Sequence, residues 1–174
     1  MRGPTVEELV ALFPGPDTTF PYAIVPGDEV PAPYHDLLVH EHHMTVTVEA
    51  YHGGPVDVRV LEWRQDGSHY ARKILLVHQA TGKVVQFGIV RIDLSKASAE
   101  VSAAIVERKT PVGRILIQHD VMRRIEPTAF VRIDAGPEQM AWFGEAGSAV
   151  LYGRLAIIHF DGKPAVELLE VVCR

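Results

Sequence analysis

Two hydrophobic periods divide the chain. From Met44 apolar residues recur at every second position, in Thr45-Val46-Thr47-Val48-Glu49 and Val56-Asp57-Val58-Arg59-Val60, and the more continuous apolar runs Tyr70–Val77 and Val84–Val90 form a further hairpin. A period of two is that of strands half-buried on one face. His52-Gly53-Gly54-Pro55, Asp66-Gly67 and Thr81-Gly82 supply the turns between them. Ser95–Arg108 changes to a helical stripe, with Ala97, Val101, Ala104 and Ile105 on one side and Ser95 as its candidate cap. A shorter helix follows through Ile115, Leu116 and Ile117, and strand character returns over Met122–Ile133. Val6–Phe13 reads as one short helix. Phe20–Pro33, interrupted by Pro and Gly, reads as an irregular strap, and Gly144–Gly147 as a flexible loop. The pattern predicts an α+β fold of antiparallel hairpins with helices segregated on one side, in a single domain spanning 1–174 whose first 33 residues form the helix and strap.

The last two apolar runs, Ala149–Phe160 and Pro164–Val172, flank Asp161-Gly162, a strong signal for a two-residue hairpin turn. Pairing Phe160 with Lys163 and running the register on sets Gly153 opposite Glu170 and Ala156 opposite Glu167. In that register Glu170 lies on an apolar face with Leu168 and Val166, where a lone carboxylate is costly and needs a partner. Glu167 falls on the other face, diagonal to Arg154, as half of a solvated ion pair. A slip of one residue would exchange the two roles.

Composition narrows the classes of function. A net charge of −5 gives no basic stripe for nucleic acid, and no run is long and apolar enough to span a membrane. The single cysteine, Cys173, excludes an internal disulfide and a Cys-rich zinc site. Without an apolar N-terminal run the chain is expected to be cytoplasmic, as a monomer or weak homodimer. His40-Glu41-His42-His43 reads as a solvated polar turn rather than a metal site, because adjacent histidines seldom point the same way. No Gly-x-Ser-x-Gly signature for a serine hydrolase is present.

Lys109-Thr110-Pro111-Val112-Gly113-Arg114 opens the short second helix. Thr110 can cap it and Pro111 suits the first helical position. Val112 and Gly113 then carry N–H groups without helical acceptors at the positive end of the dipole, a corner suited to a carboxylate.

That segment resembles the Lys-Thr-Pro-Leu-Gly-Arg signature of the chorismate pyruvate-lyase family. Leu37-Leu38 followed by Met44-Thr45, the strand Arg72-Lys73-Ile74-Leu75-Leu76, and Gly162-Lys163-Pro164 leading to Glu170 are similar to the family's further motifs, in its order, over about residues 34–172. The resemblance implies a single antiparallel sheet of about six strands with helices packed on it and a buried, flap-covered site. It implies conversion of chorismate to 4-hydroxybenzoate and pyruvate without a metal or organic cofactor. Glu170 and Arg72 would be its catalytic carboxylate and anion-binding arginine, and Met44, Val112 and Gly113 would line the ligand pocket. A non-catalytic sensor or carrier of aromatic acids on the same fold, or a lyase giving another hydroxybenzoate, are the alternatives. In each case the expected partner is a small molecule.

Overall fold

Seven strands form one antiparallel sheet in the computed structural model, which describes residues 2–174. They are β1 (Tyr22–Val25), β2 (Val56–Asp66), β3 (His69–His78), β4 (Val84–Asp93), β5 (Arg123–Asp134), β6 (Val150–Phe160) and β7 (Lys163–Val172), in the spatial order β1-β5-β6-β7-β4-β3-β2. The seventh strand is β1. It lies inside the segment expected to be a strap, and Tyr22–Val25 pair with Phe130–Ile133.

Helices cover both faces of the sheet rather than one. On the first face α2 (Tyr34–Leu38), α3 (Met44–His52), α4 (Ala99–Val106) and α5 (Val112–Gln118) bury Leu37, Leu38, Val48, Ile105, Ile115 and Leu116. On the second face, α1 (Val6–Val10) and the 3-10 helix Ala141–Ala146 close a separate core around Leu9, Phe13 and Trp142, with Trp142 stacked on Phe87 at 3.8 Å between ring centres. The Gly144–Gly147 stretch read as a flexible loop is thus mostly helical, turned by Gly144 at φ 55°.

Met44–Glu49 is not a strand. It forms the start of α3, where Met44, Thr45 and Val48 are buried and Gly53 ends the helix in the left-handed conformation at φ 77°. Four β-branched residues, Thr45 to Val48, cost roughly 0.5 kcal/mol each in a helix. Burying Met44 and Val48 contributes about 1.5–3 kcal/mol apiece and outweighs that cost. The helix after β4 begins later than expected, at Ala99, and Ser98 rather than Ser95 caps it through Val101 N–H.

The β6–β7 turn has the expected form, with Asp161 and Gly162 at φ 48° and 76° and Phe160 opposite Lys163. The register then shifts by one. His159 faces Pro164 but Ile158 faces Val166, leaving Ala165 as an extra residue. Pro164 has no N–H for the ladder, and a bulge is where a sheet accommodates such a residue. Glu170 therefore stands opposite Arg154 and not Gly153, while Glu167 pairs with Arg91 of β4.

Candidate functional site

The floor of the site is built from rows of side chains crossing the first face of the sheet. Ile74, Gly88, Glu170 and Arg154 stand opposite one another across β3, β4, β7 and β6. One row over lie Arg72, Val90, Leu168 and Ala156, and on the other side Leu76, Gln86 and Val172. Gly88 puts no side chain between Ile74 and Glu170. The roof is the start of α3, with His43, Met44 and Thr45, and the start of α5, with Pro111, Val112 and Gly113. These walls enclose a cavity of about 40 Å³. That is room for a few water molecules; an aromatic ring enters only if roof side chains give way.

All five positions picked out in the sequence, Met44, Arg72, Val112, Gly113 and Glu170, line this one cavity. The two charged residues differ in their partners. Glu170, 7% exposed, accepts through Oε2 from Arg154 Nε at 2.7 Å. Arg154 spends its remaining donors on the α2–α3 loop, giving Nη1 to His40 O at 2.8 Å and Nη2 to His42 O at 3.0 Å. This pair is complete. It replaces the expected Glu167–Arg154 contact, and the bulge at Ala165 is the reason.

Arg72 is not complete. It is 1% exposed, and Nη2 donates to Thr110 O at 3.0 Å. Its buried Nε and Nη1 groups have no acceptor, and no carboxylate touches it among the described residues. Burial pushes its pKa down. The nearby Tyr70 hydroxyl, itself without a partner at normal hydrogen-bond geometry, acts the other way through its charge and a weak hydrogen bond. A guanidinium keeps its charge in such a setting. A buried cation with open donors is a demand for an anion.

The Thr110–Arg114 segment acts differently from expectation. Pro111 itself is the N-cap, the helix begins at Val112, and Thr110 offers its carbonyl to Arg72 rather than its hydroxyl to the helix. Arg114 pairs with Glu49, tying α5 to α3 so that both helix starts are held over the cavity. The first-turn N–H groups of each, Val112 and Gly113 among them, lack intrahelical acceptors.

The sequence pattern put His43 in a solvated turn and gave Gln86 no role. His43, 8% exposed, is the N-cap residue of α3 and belongs to the cavity rather than to a solvated turn. Its Nε2 accepts from Arg123 Nε at 2.6 Å, which puts the proton of the neutral ring on Nδ1, close to Gly113. Burial, reinforced by Arg123 and Arg154, lowers its pKa to about 4. Gln86 is 4% exposed and its Oε1 has no hydrogen-bond partner. A glutamine in mid-strand after Val84-Val85 was a signal available in the sequence.

No family model matches the sequence, and no curated protein matches it. Among solved structures the chain is similar to PhnF from Mycobacterium smegmatis, with a TM-score of 0.55 at 9% identity over 78% of this chain. The match spans 65% of the length of that protein. It is also similar to a ligand-binding domain assigned to a GntR-family transcriptional regulator from Bordetella bronchiseptica, with a TM-score of 0.49 at 14% identity, over 67% of this chain and 85% of that one. The first likeness establishes the fold: the chain is a single antiparallel sheet with helices packed on it, of the chorismate-lyase-like kind.

Proposed function

We propose that the chain binds a small cyclic carboxylic acid, of the chorismate and 4-hydroxybenzoate class, in the Arg72 cavity. The observation that carries this reading is the buried guanidinium whose Nε and Nη1 lack acceptors. A ligand carboxylate supplies the missing anion, and charge-assisted bonds of this type are strong and directional. Ile74, Leu76, Val90, Ile158 and Leu168 provide the apolar walls for a ring. Glu170, held in place by Arg154 through Oε2, offers Oε1 to a ring hydroxyl. His43 Nδ1–H and the Val112 N–H are the further donors at the roof. The class of acid comes from the motif resemblance. One unpaired arginine matches one carboxylate, which favours a carrier or sensor of a monoanion such as 4-hydroxybenzoate over an enzyme for the dianion chorismate.

The lyase reading has its own support, because the five positions implied by the motif resemblance converge on a single cavity. In it Arg72 fixes the ring carboxylate and the helix starts receive the enolpyruvyl carboxylate. Breaking the enolpyruvyl ether with loss of a ring proton yields pyruvate and an aromatic ring, so orientation and electrostatic stabilisation suffice. Glu170 then holds the ring hydroxyl or relays the proton. A roof that must open to admit the ring makes product release slow.

The test is incubation of the purified protein with chorismate, resolving products by chromatography, alongside calorimetric titration with 4-hydroxybenzoate. Pyruvate in equimolar yield, lost in E170Q, would establish the lyase. Binding of 4-hydroxybenzoate without pyruvate would establish the carrier. Neither turnover nor binding would overturn both readings.

A further inference from the structure

The sheet has two free edges of unequal kind. β1 offers four residues, whereas β2 offers eleven, with Leu61 and Trp63 exposed at 41% and 48%. A long edge bearing exposed apolar side chains is a template for another strand unless something blocks it. β2 has one irregularity: Val60 faces Ile74 and Glu62 faces Lys73, so Leu61 is an extra residue relative to β3. Such a bulge mismatches a regular incoming strand and so protects an edge. It does not mismatch a second β2.

We infer that two copies of the chain pair edge to edge through β2, antiparallel and about a two-fold axis, with Asp57 opposite Arg64, Val58 opposite Trp63 and Arg59 opposite Glu62. The bulge is what permits this register. Along a regular strand both the face of the side chain and the direction of the backbone groups alternate with every residue. Asp57 and Arg64, seven apart, would then differ in both and could not oppose each other. The extra residue shifts the alternation by one. Val58 and Trp63 therefore share the cavity face, opposite Leu76 and Arg72. Asp57, Arg59, Glu62 and Arg64 share the other face, opposite Val77, Leu75, Lys73 and Ala71. All three pairings then match in face and in ladder role, and at the axis Leu61 of each copy stands opposite Val60 of the other, so the two bulges lie side by side.

Charge points to the same occupant. The register makes two Asp57–Arg64 pairs and two Arg59–Glu62 pairs per dimer and opposes no like charges. Directly opposite unlike charges stabilise strand pairing, and like charges oppose it. Val58 covers the exposed Trp63 of the partner copy, twice. Neighbouring contacts hold the charged groups where the register needs them. Asp57 accepts from Gln79 Nε2 at 2.8 Å, Glu62 pairs with Lys73, and the Arg64 guanidinium lies 5.6 Å from the centre of the Phe13 ring. A surface complementary to itself is what a two-fold interface requires.

Sedimentation velocity on the full chain over a concentration series tests the proposal, using D57R, R64D, the double variant D57R/R64D and an equimolar mixture of the two single variants. The parent should dimerise. Each single variant sets like charges opposite at two positions per dimer and should raise the dissociation constant at least about tenfold. In the mixture, as in the double variant, every opposed pair is again of unlike charge, and dimers should return. Thermal melts confirm that each variant is folded. A parent that stays monomeric, single variants that dimerise like the parent, or a mixture that fails to restore association would each overturn the inference.

Discussion

Replacing Arg72 by Met should stabilise the ligand-free protein, although Arg72 is among its most buried side chains. The substitution keeps the apolar stem and removes a guanidinium that is 1% exposed and has one acceptor, Thr110 O at 3.0 Å. Losing that bond costs about 1.5–3 kcal/mol, as for a hydrogen bond to a charged group. Removing a buried, unpaired charge relieves a desolvation penalty of several kcal/mol. The net gain should be about 1–3 kcal/mol, or about 2–10 °C in Tm for a chain of this size. Arg154 provides the contrast. R154M would leave Glu170 buried without its partner and free the carbonyls of His40 and His42, a loss of about 3–5 kcal/mol. Urea denaturation of the ligand-free proteins measures both. If R72M lost more than about 2 kcal/mol, Arg72 would be a structural residue and the reasoning would fail.

Other consequences are equally direct. His43 has its pKa lowered from 6.5 to about 4, so below pH 6.5 the unfolded chain takes up a proton that the folded one refuses. Its contribution is fully present above pH 6.5 and declines by up to about 3 kcal/mol as pH falls to 4. H43Q should flatten that part of the stability–pH profile, and an unchanged slope would refute the assignment. In G113A the new Cβ would lie 3.0 Å from Thr45 Oγ1 and 3.2 Å from His43 Nδ1, crowding the roof. Stability should change by no more than about 1 kcal/mol, because helix propensity improves, while affinity for 4-hydroxybenzoate falls at least about tenfold. In G153A the Cβ would meet Glu170 O at 2.6 Å, and a loss of about 2–3 kcal/mol with a disturbed Glu170 should follow in denaturation and binding assays.

The strands with strong alternation or a marked turn were legible in the sequence, and so was the convergence of Arg72, Glu170 and Val112, which are far apart in the chain but ordered by motif. Three features were not. Met44–Glu49 has the alternation of a strand, and only tertiary burial of Met44 and Val48 decides for the helix. Tyr22–Val25 is too short and too closely flanked by prolines to show as a strand; it exists because β5 has an open edge beside it. The partner of Glu170 depended on one bulge. Asp-Gly fixes where the hairpin turns, but Pro164 inserts Ala165 and hands Arg154 from Glu167 to Glu170. That exchange left Arg72 as the cavity's unsatisfied cation, a fact of three-dimensional accounting that no spacing in the chain announces.

The most direct measurement of the central claim is calorimetric titration of the parent protein and R72M with 4-hydroxybenzoate and with 4-hydroxybenzyl alcohol, which keeps the ring and hydroxyl but lacks the carboxylate. If Arg72 awaits an anion, the acid binds the parent, the alcohol binds at least about a hundredfold more weakly, and R72M loses the distinction between them. Equal binding of acid and alcohol, or an R72M variant that still prefers the acid, would contradict the account.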